Sequence, residues 1–197
     1  MEKQLIISVG REYGSGGHEI AEKLSRHYGI QLFDHNLLDE IAAKKNVNMD
    51  HLKELDEKHK NLLSSRTVRG LSNSPEENLL YLQFDFLRDK ADAGESFVIV
   101  GRCSETILKQ YDSMISIFIL GDRDKRIERI MRLYHLTESQ AVKKIREKDI
   151  QRRRYHNSFC VKKWGDCRNY DISLNSSRLG IDGTVNLLTD YIDSRRK

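Results

Sequence analysis

An α/β fold built on a buried parallel sheet is the architecture this sequence predicts, and three observations predict it. Five short apolar runs alternate with helical stretches along the 197 residues. The runs are apolar on both faces, as strands covered on two sides must be. Each run ends at Gly, Asp or Asn (Gly10, Asp34, Gly101, Gly121, Asn175), where the chain leaves the carboxyl edge of a sheet and ligands bind.

Leu5–Val9 is the first strand, and it runs into Gly10-Arg11-Glu12-Tyr13-Gly14-Ser15-Gly16-Gly17-His18 before an amphipathic helix expected over 17–28. Three glycines within four residues let the backbone approach an anion closely, and the helix start offers unpaired N–H groups and a positive dipole end. This is the order of a phosphate-binding loop with one part displaced. A Walker A loop reads G-x-x-x-x-G-K-[ST]; with Gly16 on its second glycine, Arg11 stands at the first glycine and Gly17 at the lysine. A glycine turn without a ligand is the alternative.

Gln31-Leu32-Phe33 is a short second strand, Phe97–Val100 a third, Met114–Leu120 a fourth and Tyr170–Leu174 a fifth. Helices are expected over 36–45, 50–64, 75–93, 104–110, 122–134, 138–157 and 182–195. Ser74-Pro75-Glu76-Glu77 marks one start clearly, with a capping serine, proline at the first helical position and glutamate closing a capping box. A polar helical insert with a loop at 64–74 separates the second strand from the third.

Composition fits a cytosolic globular chain: 38% hydrophobic, 32% charged, no signal-peptide core and no membrane-length apolar run. Cys103, Cys160 and Cys167 form an odd set without a C-x-x-C pair, so reduced thiols are expected; His156, Cys160 and Cys167 match no zinc template. The net charge of +4 is concentrated: residues 143–168 hold ten Lys or Arg against three acids, which makes the segment +7 and leaves the rest at −3. Such a segment is a solvated helix face, a nucleic-acid patch or a cationic clamp over phosphates. Only Tyr155, Phe159 and Trp164 are interleaved with it, which argues against nucleic acid.

These residues carry a resemblance. Arg11-Glu12-Tyr13-Gly14-Ser15-Gly16-Gly17, Phe33-Asp34, Val98-Ile99-Val100-Gly101-Arg102-Cys103, Ile145-Arg146-Glu147-Lys148-Asp149 with Arg152 and Tyr155, Trp164-Gly165-Asp166, Tyr170-Asp171 and Leu174–Gly180 follow one another as in the cytidylate kinase-like family of P-loop nucleoside monophosphate kinases. The resemblance implies a single three-layer kinase domain over 1–197, with a five-stranded parallel sheet flanked by helices. Its core would be 1–34, 95–136 and 169–197, its acceptor-binding helical insert 35–94, and its basic helical lid 137–168. It also implies ATP and Mg²⁺ as cofactors, small-molecule nucleotides as ligands and a cytoplasmic setting.

Within that frame Glu12, Tyr13, Gly14, Ser15, Gly16, Gly17, His18, Glu19 and Asn175 are expected around ATP, with Arg11 replacing the missing lysine. His18 stands where a magnesium-binding hydroxyl would follow the lysine, so Ser15 or Glu19 is the candidate for the metal. Arg102 projects from a strand end and suits a bidentate grip on the acceptor phosphate; pairing with Asp34 or Glu105 is its plainer alternative. Consecutive helical residues lie about 100° apart, so Arg152, Arg153 and Arg154 cannot all face inward. Arg152 is favoured, Arg153 is second, and Arg154 points to solvent. Asp149 either steadies these arginines through i,i+3 or i,i+4 pairs or touches the acceptor. Asp34 either orients the acceptor or caps the next helix. Arg126, Arg129 and Arg132 share one flank of the 122–134 helix and read as its wet face, with one of them within reach of phosphates. A non-catalytic nucleotide-binding domain retaining this fold is the second reading.

Overall fold

The computed structural model describes residues 3–34, 36–45, 67–68, 71–72 and 75–197. Its centre is an all-parallel five-stranded sheet in the order β2-β5-β1-β6-β7. β1 (Ile6–Arg11) lies between β5 (Phe97–Val100) and β6 (Met114–Leu120), with Ile7 level with both Val98 and Ile115. β7 (Ile172–Asn175) closes one edge against β6, and β2 (Gln31–Phe33) the other against β5. β1, β5 and β6 are buried almost throughout, which is why they read as unbroken apolar runs. On one face, Ile7 and Val9 share a core with Ile20, Ala21 and Leu24 of α1 (Gly17–Tyr28) and Leu188 and Ile192 of α7 (Ser176–Arg196). The carboxyl ends of β1, β5 and β6 therefore present Glu12–Gly16, Gly101–Cys103 and Gly121–Asp122 along one edge, the place where open α/β sheets take ligands.

α1 keeps its expected bounds, ending at Gly29 in the left-handed region (φ 63°) with a backbone bond to Ser25. α4 (Ser104–Ile107) is shorter than the expected 104–110. α5 (Arg123–Tyr134) is followed by α6 (Glu138–Phe159), which starts with a reciprocal capping box between Thr137 and Gln140. β7 begins two residues later than expected because Tyr170 and Asp171 have other work. The Tyr170 ring lies 4.9 Å from that of Phe118, and the Asp171 carboxylate accepts the backbone N–H and hydroxyl of Ser116 at 2.7 and 2.8 Å. α7 starts at Ser176 instead of 182, with a break at Gly180 (φ 69°, ψ −179°) that the helical pattern cannot span.

Residues 33–94 form a second compact unit, separate from the one made by 1–32 and 95–197. It holds α2 (Leu37–Lys45), the antiparallel pair β3 (Thr67–Val68) and β4 (Leu71–Ser72), and α3 (Pro75–Asp92). The hairpin pair corrects the plain loop expected at 64–74; the helix expected over 50–64 lies outside the described residues. The unit's core includes Leu37, Ile41, Leu80 and Leu87, with Phe33 and Phe86 packed edge to face at 5.7 Å.

Gln83 of α3 is 1% exposed, yet neither its amide nitrogen nor its amide oxygen has a hydrogen-bond partner. A buried amide left unsatisfied costs about 1–3 kcal/mol. Gln83→Leu is therefore expected to raise unfolding stability by about 1 kcal/mol or more, measured by denaturant titration; a loss of stability would show that the amide is satisfied in solution. Among the described residues, no helix is long and apolar enough to cross a membrane.

Candidate active site

The loop between β1 and α1 has its shape because three positions have no side chain. Gly14 and Gly16 sit at φ 86° and 81°, where L-residues are strained, and Gly16 is the N-cap of α1 with no side chain bonding to the helix start. The first N–H groups of α1 are thus left for an anion. A Cβ on Gly16 would run into the Ile181 side chain. At Gly17 the obstacle is Arg11, whose Cβ lies 2.5 Å from where a Cβ on residue 17 would be. The Arg11 side chain continues toward Gly101, its Nη1 standing where a Cβ on that glycine would be. A cation thus starts at the end of β1, passes over the helix start and ends at the turn after β5.

The loop is held from behind by Arg126. Its guanidinium donates from Nε to the Tyr13 carbonyl at 2.7 Å, pairs from Nη1 with Glu12 Oε2 at 3.2 Å, and donates from Nη2 to Asp149 Oδ2. Asp149 Oδ1 accepts the Tyr13 N–H at 2.8 Å, and Glu12 Oε2 accepts the Gly121 N–H at 3.1 Å. Arg126 is 8% exposed, so the wet-face reading fails for it. The helix edge is polar in sequence, but two carboxylates from elsewhere in the chain meet it. Asp149 likewise pairs with Arg126 and the loop rather than with its neighbours on α6. Both oxygens of its carboxylate are engaged in positioning the loop.

Of the two favoured lid arginines, the structure brings Arg152 to the loop and leaves Arg153 outside it. Arg152 donates to the Arg11 carbonyl at 3.2 Å and lies over the Tyr13 ring at 5.2 Å. Burial pushes its guanidinium pKa down, while the Asp149 carboxylate opposes that shift. Tyr13 is shifted up, chiefly by burial and then by its hydrogen bond with Tyr134. Arg153 is exposed and stacks over Trp164 at 5.6 Å. Arg102 is half-buried in a turn where Gly101, Arg102 and Cys103 all have positive φ (79°, 61° and 56°). Two successive non-glycine residues in that region store strain, as residues held for function do.

Beside the loop is a cavity of about 370 Å³, lined by Gly14, Ser15, Arg129, Arg132, Ser176 and Ile181 among others. Asn175 stands at its edge as the N-cap of α7, accepting from Ser177 N at 3.0 Å and donating to Asp122 Oδ1 at 2.7 Å. Ser15 is 4% exposed and donates its hydroxyl to the Glu12 carbonyl at 2.9 Å, closing the loop. Glu19 pairs with Arg129 at 2.6 Å but keeps 40% of its side chain exposed. His18 is exposed and pairs with Glu22 at 3.4 Å. Mg²⁺ retains waters and takes most of its other ligands from substrate phosphates, so one accessible carboxylate is a sufficient protein contribution; Glu19 fits that role through water and Ser15 does not.

Asp34 belongs to the second unit, where its Oδ1 accepts Asn36 N at 3.1 Å and its carbonyl accepts Leu37 N at 3.4 Å at the start of α2. That is the capping geometry. Of Ser64, Arg66, Thr67, Arg69 and Asn73, the polar-loop residues that the sequence offers as readers of an acceptor base, Thr67 lies in β3 and the other four lie outside the described residues. Cys167 is exposed and apart from His156 and Cys160, which gather instead with Glu105.

The profile of the cytidylate kinase-like family matches residues 6–178. Among curated relatives, the cytidylate kinase of Pyrococcus horikoshii is 23% identical over 192 residues, covering 96% of this chain and 89% of its own length. That of Pyrococcus furiosus is 24% identical, with 96% and 88% covered. Among solved structures, an uncharacterised protein of Eubacterium ventriosum is 38% identical with a TM-score of 0.78, covering 97% of this chain and 99% of that one. The shikimate kinase of Bacteroides thetaiotaomicron matches in fold alone, at 14% identity and TM-score 0.54 over 96% and 98% of the two chains. The match runs from the first strand through the glycine loop and α6 to the start of α7, and the chain belongs to the cytidylate kinase-like family, with the fold of the P-loop kinases.

Proposed function

We propose that the protein transfers the γ-phosphoryl group of ATP to a nucleoside monophosphate, with CMP or dCMP the preferred acceptor. The observation that carries this reading is the path of Arg11 over Gly17: the cation absent from the Walker position is supplied from the strand side of the same loop. A phosphate oxygen of the acceptor attacks the γ-phosphorus, the bridging oxygen to the β-phosphate leaves, and ADP is released. Such a transfer needs in-line positioning and cations around the moving group more than covalent help.

In this reading the N–H groups of Gly14–Glu19 hold the β-phosphate, Arg11 and Arg152 neutralise charge on the transferred group, and Arg102 grips the acceptor phosphate. The cavity beside Arg129 and Arg132 takes the donor nucleoside. Arg153 joins only if the lid helix moves. Mg²⁺, held through water by Glu19, would supply further charge neutralisation at the donor phosphates. The acceptor base falls to the 33–94 unit, where Asp34 is a candidate contact. The cytidylate kinases of two Pyrococcus species support CMP as the first acceptor to try.

A coupled ADP-release assay with Mg-ATP and a panel of nucleoside monophosphates tests the reading. The expected result is turnover stimulated by CMP or dCMP, with Arg102→Ala raising the acceptor KM about 30-fold or more while ATP binding persists, the cost of one lost bidentate charge-assisted contact. ATP binding with a flat panel would favour a nucleotide-binding domain without transfer, for which the missing lysine speaks.

A further inference from the structure

Behind the turn that carries Arg102 lies a polar cluster that phosphoryl transfer does not use. Glu105 of α4, His156 of α6 and Cys160 at the C-cap of α6 are 6%, 4% and 7% exposed. Their ligand atoms all lie within 4.8 Å of one another. His156 Nε2 is 2.6 Å from Glu105 Oε1, the Cys160 sulfur lies within reach of both, and the thiol of Cys103, which is 3% exposed, adjoins it. Four groups of metal-binding chemistry thus meet in an interior that has no need of them for packing.

We propose that Glu105, His156 and Cys160, with Cys103 as the adjoining fourth donor, form a structural site for a zinc-class divalent cation. Three features argue for it. His156 and Cys160 are four residues apart, and the last helical bond, Cys160 N to His156 O at 2.8 Å, keeps both on the same side of α6. Imidazole, carboxylate and thiolate together select a borderline-soft ion over Mg²⁺ or Ca²⁺. The charge stays close to balance: a carboxylate and the Cys160 thiolate neutralise a dication, and a second thiolate from Cys103 would leave one negative charge, opposed by the neighbouring Arg102.

A tetrahedral zinc holds its donors at about 2.0–2.3 Å, and so about 3.3–3.8 Å from each other. Binding therefore replaces the proton shared by Glu105 and His156, parts that pair by under about 1 Å and draws the sulfur in. Cys103 comes from the strained Gly101–Cys103 turn, so the ion would staple that turn to the end of α6. The site is independent of the phosphotransferase reading.

The test uses the full chain, stripped with a chelator and titrated with Co²⁺ and Zn²⁺. The expected result is one equivalent of Co²⁺ bound with a thiolate-to-cobalt charge-transfer band, displaced by Zn²⁺. Zn²⁺ should raise the unfolding midpoint by about 5–10 °C where Mg²⁺ does not. With zinc present, a thiol reagent should titrate Cys167 and spare Cys103 and Cys160. Cys160→Ser should abolish the band and His156→Asn should weaken binding at least tenfold, with Cys167→Ser unchanged. Absence of saturable binding to the wild-type chain, a band that survives Cys160→Ser, or two thiols that stay reactive under zinc would each overturn the site. The wild-type measurements decide the matter even if a variant fails to fold.

Discussion

Arg126→Ala is expected to lower the thermal unfolding midpoint by about 6–20 °C, and to reduce turnover at least tenfold at temperatures where the variant remains folded. The size follows from what is left behind. Arg126 is the shared partner of Glu12, Asp149 and the Tyr13 carbonyl, and its removal strands two carboxylates in a place where only about 10% of the arginine side chain and 14% of that of Asp149 are exposed. Breaking a buried pair by deleting one member costs about 3–5 kcal/mol, more than the pair itself contributes, because the survivor is charged and poorly hydrated. The kinetic loss has a different origin. Tyr13 is held by its N–H and its C=O at once, from Asp149 and Arg126, so the variant loses the second anchor and leaves the Asp149 carboxylate that makes the first without its counter-ion. Arg126→Lys is expected to recover part of the stability and little of the turnover, since an ammonium cannot place three donors in a plane. Arg126→Ala/Asp149→Ala should cost less stability than the two single changes added together. If Arg126→Ala unfolds within about 3 °C of the parent, the loop is held by something else and the clamp has no energetic standing.

That network also marks where sequence reading stops. The strand–glycine–helix element, the buried runs of β5 and β6 and the bounds of α1 are local patterns, carried by periodicity and by glycines at fixed offsets, and the structure keeps them. The burial of Arg126 is not local: its partners Glu12 and Asp149 are distant in sequence, and nothing on the face shared with Arg129 and Arg132 separates the buried arginine from its half-buried and exposed neighbours. The same holds for Glu105 with His156, from α4 and α6, whereas a spacing argument over His156, Cys160 and Cys167 can consider only residues near in sequence. Boundaries slipped where a side chain had a tertiary duty, as Asp171 has against Ser116, or where one glycine bends a helix, as Gly180 does. β3 and β4, at two residues each, are too short to show alternation at all.

The second large effect concerns the exchanged charge. A Cβ on residue 17 and the Cβ of Arg11 compete for one volume, 2.5 Å apart, so this loop accommodates a side chain at one of the two positions and glycine at the other. The Walker pattern is glycine first and lysine second; this chain has arginine first and glycine second. Arg11→Gly is accordingly expected to leave the fold intact and cut kcat about 10²–10⁴-fold, the range seen when a cation facing developing phosphoryl charge is removed. Gly17→Lys alone should be no better, because the new Cβ drives the Arg11 stem or the helix start out of place. Combining them, as Arg11→Gly/Gly17→Lys, relieves the overlap and returns a cation to the β- and γ-phosphates from the helix side. The double variant should exceed the turnover of either single variant by tenfold or more, a non-additivity that two independent lesions cannot produce. Multiplicative losses in the double variant would mean that Arg11 acts through the Gly101–Cys103 turn it reaches rather than on the phosphates themselves.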